Sequence, residues 1–206
     1  MLLMSTTTPS GFGFPGANLR GHLALMSMNL AHRGLHRWGL QAARVGEQDR
    51  ALDIGCGGGA TTHRLLRATR AEVGAVDHSP TALVHTRRLC ADAVESGRLR
   101  AVEASVEDMP FPDGYFDVAT AFETVYFWPD LVAGLTEVHR VLRPGGRLVI
   151  VNEVVDQRSA DRLARRFGMN LLDGEALRAA CEEAGFSSVE ADRHPRHGWL
   201  RVVARV

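Results

Sequence analysis

Lysine is missing from this chain: all 24 cationic side chains other than histidine are arginine. Schiff-base and lysine-base chemistry are thereby excluded. Cysteine is nearly as scarce. Cys56, Cys90 and Cys181 are odd in number and widely spaced, with no C-x-x-C pair. Neither a disulfide framework nor a cysteine zinc site is expected, and a reducing compartment, the cytoplasm, is the natural setting. Net charge is absent too, with 24 acidic residues against the 24 arginines. No global field draws the chain to nucleic acid or to an anionic membrane. No apolar run approaches the ~20 residues of a membrane span. Met1-Leu2-Leu3-Met4 has neither the basic start nor the full apolar segment of a secretory leader.

What remains is a chain of 206 residues, 45% hydrophobic and 23% charged, with the composition of a water-soluble domain large enough for one core. The first residues, rich in Thr, Ser, Gly and Pro, read as a flexible arm over 1–18. A single domain is expected over 19–206, opening with a helical cap over 19–48. In that cap Leu23, Met26, Leu30, Leu35, Trp38 and Ala42 recur at helical spacing, with Gly34 and Gly39 as possible breaks. Strands are predicted at Ala51–Ile54, Glu72–Val76, Leu99–Val102, Asp117–Ala121 and Arg147–Val151. Helices are predicted between them at Thr61–Arg67, Thr81–Val94 and Leu131–Leu142, the last stopped by Pro144-Gly145-Gly146. Further helices are predicted near Ala160–Arg166 and at Gly174–Ala184, then strands at Ser188–Ala191 and Trp199–Ala204. Strand–helix alternation specifies a parallel, doubly wound sheet. The last two strands are joined only by Asp192 to Gly198, too short for a helical crossover, so they form an antiparallel hairpin.

The most informative stretch is Ala51-Leu52-Asp53-Ile54-Gly55-Cys56-Gly57-Gly58-Gly59. It reads as a buried strand entering a glycine turn, followed by a helix whose N-terminal amides favour an anion. Gly55 to Ala60 also satisfies the dinucleotide pattern G-x-G-x-x-G/A. Two carboxylates sharpen the choice. Asp53 lies where a pyrophosphate would be repelled and a sulfonium or ammonium attracted. Asp77 follows the glycine turn by about 20 residues, the position suited to a ribose diol, whose hydroxyls its oxygens can accept. Ribose with a zwitterionic, sulfonium-bearing tail describes S-adenosylmethionine. Cys56, inside the turn, reads as a compact turn residue rather than a reactive thiol.

With these residues in place the chain resembles the class I S-adenosylmethionine-dependent methyltransferases of the small-molecule kind. The resemblance rests on ordered blocks: Leu52–Gly59, Ala75–Pro80, Val106–Phe111, Phe116–Glu123 and Val141–Leu148. It implies a doubly wound, Rossmann-like, seven-stranded sheet, mostly parallel with a C-terminal antiparallel hairpin. It implies S-adenosylmethionine bound by Asn29, Asp53, Gly55, Cys56, Gly57, Asp77, His78, Ser105, Val106, Glu107 and Phe122. The family commonly has an Asp where this chain has Ser105, leaving Glu107 to compensate toward the adenine amino group. In Phe122–Trp128, Tyr126, Phe127 and Trp128 would wall an acceptor pocket. His32 and Tyr126 are the candidates for proton transfer. His32 and His36 stand at i, i+4, but no sequence-adjacent carboxylate accompanies them, so no metal is expected. The partner is a small-molecule methyl acceptor, with no nucleic acid and no membrane. A non-catalytic S-adenosylmethionine-binding protein is the alternative. A nicotinamide-dependent oxidoreductase is opposed by Asp53, the terminal hairpin and the missing Tyr-x-x-x-Lys.

Overall fold

Ala51-Leu52-Asp53-Ile54 and Val73-Gly74-Ala75-Val76-Asp77 are buried at every position. A strand is buried on both sides only inside a sheet whose two faces are covered. The computed structural model, which describes residues 32–153 and 172–206, contains that arrangement. Seven strands form one sheet: β1 (Ala51–Ile54), β2 (Val73–Asp77), β3 (Leu99–Glu103), β4 (Phe116–Phe122), β5 (Leu142–Glu153), β6 (Ser188–Arg193) and β7 (Trp199–Arg205). Their order is β3-β2-β1-β4-β5-β7-β6. The first five are parallel, while β7 pairs antiparallel with both β5 and β6. The terminal hairpin is therefore as expected. Strand order reverses between β1 and β4, which places a crevice at their carboxyl ends.

Helices α1 (Arg33–Ala43), α2 (Ala60–Ala68), α3 (Pro80–Leu89), α4 (Ala91–Glu95), α5 (Leu131–Val141) and α6 (Gly174–Glu183) complete the described chain, with a 3₁₀ turn over Val125–Phe127. One face of the sheet packs Leu52, Phe116, Ala119, Leu148 and Ile150 against Leu135 and Val138 of α5 and Leu177 of α6. The other packs Ala51, Val73, Ala75, Val118, Val149 and Val151 against Leu35 of α1, Leu65 of α2 and Leu83 of α3. Burying each of these larger aliphatic side chains contributes roughly 1.5–3 kcal/mol. None of the described helices is long and apolar enough to cross a membrane.

Three expectations change. Gly39 does not break the cap helix but lies inside α1, while Gly34 stands one residue after the start of α1 at Arg33. A Cβ on Gly39 would stand 2.5 Å from the Phe122 ring and 2.7 Å from Val151, and one on Gly34 would stand 2.8 Å from the Trp199 ring. These glycines let α1 press onto the sheet. The single helix expected over Thr81–Val94 is two, α3 and α4, parted at Cys90, whose φ of −115° is outside the helical range. Pro144-Gly145-Gly146 lies within β5, where the pairing with β4 shifts register between Phe116 and Val118. The arm over 1–18, most of the cap and the helix expected near Ala160–Arg166 lie outside the described residues.

Arginine ties α1 to the sheet through carbonyls. Arg147 of β5 donates to Ala43 O (2.6 Å) and Arg44 O (2.8 Å), supplying donors to the carbonyl end of α1. Arg201 of β7 donates to Trp38 O (3.2 Å), stacks over the Trp38 ring at 4.3 Å and pairs with Asp192 of β6.

Gly39→Ala is expected to lose about 1–3 kcal/mol from overpacking, outweighing the ~1 kcal/mol that alanine gains in a helix. Urea unfolding measures this, and a rise in midpoint would contradict the close approach of α1 to Phe122.

Candidate functional site

β1 ends in a turn that only glycine builds. Gly55, Gly57 and Gly59 have φ of +70°, +52° and +81°. Gly55 is also needed sterically, since its Cβ would fall 2.2 Å from Thr124 Oγ1, and at Gly59 one would fall 2.9 Å from Thr86 Cα. The amides of Gly55 and Cys56 donate to Val76 O at 2.8 and 3.0 Å. Gly57 N–H donates instead to Asp77 Oδ2 at 2.8 Å, and Asp77 Oδ1 accepts Ser79 N–H at 2.9 Å. Asp77 thus bridges the glycine turn and the start of α3. Burial pushes its carboxyl up from the ordinary range, and the Gly57 and Ser79 amides pull it back. Each oxygen holds one amide and keeps acceptor capacity for a hydroxyl donor. α2 is preceded by Gly59, with no side chain capping its amides, leaving donors for an anionic group.

Asp53 lies beneath this turn, 2% exposed. Its Oδ2 accepts Thr62 Oγ1–H at 2.6 Å and its Oδ1 accepts Thr120 Oγ1–H at 3.1 Å. Burial raises its pKa to about 6 against those two donors. Asp53 is therefore a braced charge behind the turn, joining β1, α2 and β4. Cys56 is buried beside Thr86, whose hydroxyl lies 3.4 Å from its sulfur, and burial holds the thiol protonated. That agrees with a compact turn residue. The donor set as a whole suits a ligand carrying a diol, a cationic centre and a carboxylate.

The remaining predicted residues separate into two groups. His78 is exposed next to Asp77. Ser105 is exposed and its Oγ accepts the Glu107 amide at 3.3 Å, while Val106 is buried in the core. Glu107 is committed elsewhere: its Oε1 accepts the Asp130 amide at 2.8 Å, near the start of α5. Phe122 is 6% exposed, 5.7 Å from the His36 ring and under α1, so in this structure it packs the cap. Trp128 is buried against Gly134 of α5, so in this structure it packs the core. Asn29 lies outside the described residues.

Past β4 stands a residue that the sequence reading left without a role. Glu123 adopts φ +58°, rare for a side-chain-bearing residue. Its Oε1 accepts Tyr126 O–H at 2.9 Å and the Glu153 amide at 2.5 Å. Burial, reinforced by the Glu153 carboxylate, raises Glu123 to about 7. Burial and Glu123 together hold the Tyr126 phenol protonated, which makes Tyr126 a donor at neutral pH. His32, just before α1, joins this group: one donor atom each of His32, Glu123 and Glu153 lie within 4.8 Å of one another. His36 is the buried neighbour, its Nδ1 3.1 Å from Thr61 Oγ1, with its pKa lowered to about 3, first by burial and then by Arg64. Thr124, next to Glu123, packs on Gly55, so the acidic group adjoins the glycine turn. Only the carboxylate just after β4, with a tyrosine three residues on, signalled this group in the sequence.

The methyltransferase domain family matches residues 52–150. The O-methyltransferase resE of Aspergillus sclerotiorum is 30% identical over 145 residues, covering 68% of this chain and 55% of its own. The ubiquinone/menaquinone biosynthesis C-methyltransferase UbiE of Proteus mirabilis is 30% identical over 193 residues, covering 80% of this chain and 76% of its own. Several relatives are longer, and the chain spans about half the length of the first curated ones it matches. Geranyl diphosphate C-methyltransferase of Streptomyces coelicolor, solved with Mg²⁺, geranyl diphosphate and S-adenosyl-L-homocysteine, superposes with a TM-score of 0.72. It is 14% identical, over 92% of this chain and 85% of that one.

Glu123→Gln keeps the oxygen that accepts Tyr126 and Glu153. A carboxyl raised by folding contributes stability that is fully present below about 4.5 and lost as pH rises through about 7. The glutamine variant escapes that loss. In metal-free buffer it should match the parent at pH 4.5 and exceed it by roughly 2–3 kcal/mol at pH 8, measured by urea unfolding at both pH values.

Proposed function

The chain belongs to the class I S-adenosylmethionine-dependent methyltransferases, and on that premise we propose that it methylates a small molecule held at the carboxyl ends of β4 and β5. Bound S-adenosylmethionine supplies a methyl group already activated by its sulfonium, open to in-line displacement by an acceptor nucleophile. The observation that carries this reading is Asp77, buried and fixed by the Gly57 and Ser79 amides with acceptor capacity to spare. In this reading Gly55, Cys56 and Gly57 hold the methionine portion, Asp77 the ribose, and His78, Ser105 and Val106 the adenine side. Asp53 supplies negative charge behind the turn while braced by Thr62 and Thr120.

The acceptor side is polar and pre-ordered. A phenol or alcohol must lose a proton before or during attack, and Glu123 and His32 are the groups at this edge able to take one. Tyr126 orients Glu123 rather than acting as base, because its hydroxyl is already the donor. Such a group favours a catalyst over a protein that only binds S-adenosylmethionine. The UbiE relative, named for ubiquinone and menaquinone biosynthesis, and the geranyl diphosphate C-methyltransferase support a small acceptor. We also read residues 19–206 as one domain whose cap begins before the described α1.

Calorimetry should detect S-adenosylmethionine binding and no comparable binding of NADH. Asp77→Asn should weaken S-adenosylmethionine about 10–100-fold, the worth of a charge-assisted hydrogen bond, with the thermal midpoint recorded alongside. Transfer of a tritiated methyl group into a fractionated metabolite pool tests turnover. Preference for NADH, or an unchanged affinity in Asp77→Asn, would remove this reading.

A further inference from the structure

We infer that His32, Glu123 and Glu153 form a binding site for one divalent cation of borderline hardness, of the Mn²⁺ or Zn²⁺ class. These residues come from three places far apart in the chain: the residue before α1, the residue after β4 and the last residue of β5. The fold brings one ligand atom of each within 4.8 Å of the others. A cation that binds nitrogen and carboxylate oxygen at about 2.0–2.3 Å separates its ligands by roughly 3–4.5 Å, so small side-chain rotations close the set. From the sequence no metal was expected, because no carboxylate stands beside His32 and His36. The carboxylates that matter are supplied by the sheet.

The charge pattern of the rest of the protein sharpens the inference. Asp49, Asp113, Asp117, Glu137 and Asp192 each pair with an arginine. Among the described residues no ion pair involves Glu123, Glu153 or His32. Two carboxylates brought this close, with none of the described arginines paired to them, favour a cation. Their outer contacts are of the kind that steadies carboxylate ligands. Tyr126 O–H and the Glu153 amide hold Oε1 of Glu123, and Trp199 Nε1–H reaches Oε1 of Glu153 at 3.4 Å. Among the described residues no hydrogen bond uses Oε2 of Glu123 or of Glu153. One nitrogen and two carboxylates suit Mn²⁺, Fe²⁺ or Zn²⁺ better than an all-oxygen ion. Cation binding and proton acceptance at Glu123 compete for the same carboxylate.

The test uses the full chain, stripped with chelator and titrated with MnCl₂, following free Mn²⁺ by electron paramagnetic resonance. One Mn²⁺ per chain is expected, with affinity falling at least ~10-fold in Glu153→Gln and in His32→Gln. Glu153 is exposed, so Glu153→Gln is expected to keep the fold, checked by circular dichroism. S-adenosylmethionine affinity of the stripped samples, measured by calorimetry, is a separate readout of the methyl-transfer reading and should not change in Glu153→Gln. No Mn²⁺ uptake by the parent, or equal uptake by parent and both variants, overturns the cation site and leaves the cofactor reading standing. Mn²⁺ uptake with no S-adenosylmethionine binding does the reverse.

Discussion

The carboxylate of Asp77 accepting the amides of Gly57 and Ser79 is the contact on which the cleft depends. It links the loop after β1 to the loop after β2, extending the backbone bonds from Gly55 and Cys56 to Val76 O. Each charge-assisted bond is worth about 1.5–3 kcal/mol, set against the cost of burying the carboxylate. With the turn held on that side, Thr124 closes on Gly55 and Thr86 on Gly59 from the others. The three positive-φ glycines are thus a consequence of packing as much as a provision for a ligand. The loop bearing Glu123 takes its position from the same turn.

Arginine does the work that a mixture of basic residues does in most proteins. Its planar fork reaches several carbonyls at once, which an ammonium does less well. Arg98 donates to Leu66 O and Thr69 O at the end of α2. Arg140 of α5 reaches Glu137, Asp113, Met109 O and Phe111 O, tying the loop before β4 to that helix. Arg147 serves the end of α1 in the same way. Against this background the carboxylates of Glu123 and Glu153 are set apart, since the fold directs none of the described arginines to them. These two carboxylates stand at the carboxyl ends of β4 and β5, beside the glycine turn.

Much of the architecture was legible in the residues because it depends on local chemistry. Short apolar runs, glycine turns and the short link before Trp199 are written in neighbouring positions, and the seven strands fall within a few residues of their expected ends. Boundaries failed where backbone geometry was decided by distant contacts. α5 ends at Val141, one residue from its expected end, but β5 begins at Leu142 rather than Arg147, taking in Pro144-Gly145-Gly146, because β4 offers partners on both sides of them. Gly34 and Gly39 looked like breaks because an isolated helix is weakened by glycine. In the fold their missing side chains let α1 sit on Phe122, Val151 and Trp199.

By itself the sequence determined the parallel sheet, the terminal hairpin, the glycine turn and the pair Asp53 and Asp77, since spacing and residue type are sufficient for each. It could not assign the working orientation of side chains whose partners lie far along the chain. Tertiary structure decided that Asp53 faces two threonines, that Glu107 turns to the amide of Asp130, and that Trp128 fills the core. It also decided that His32, Glu123 and Glu153 meet. The physical reason is that a hydrogen bond or a ligand set depends on distance in space, and the 120 positions of chain between His32 and Glu153 carry no mark of a separation below 5 Å.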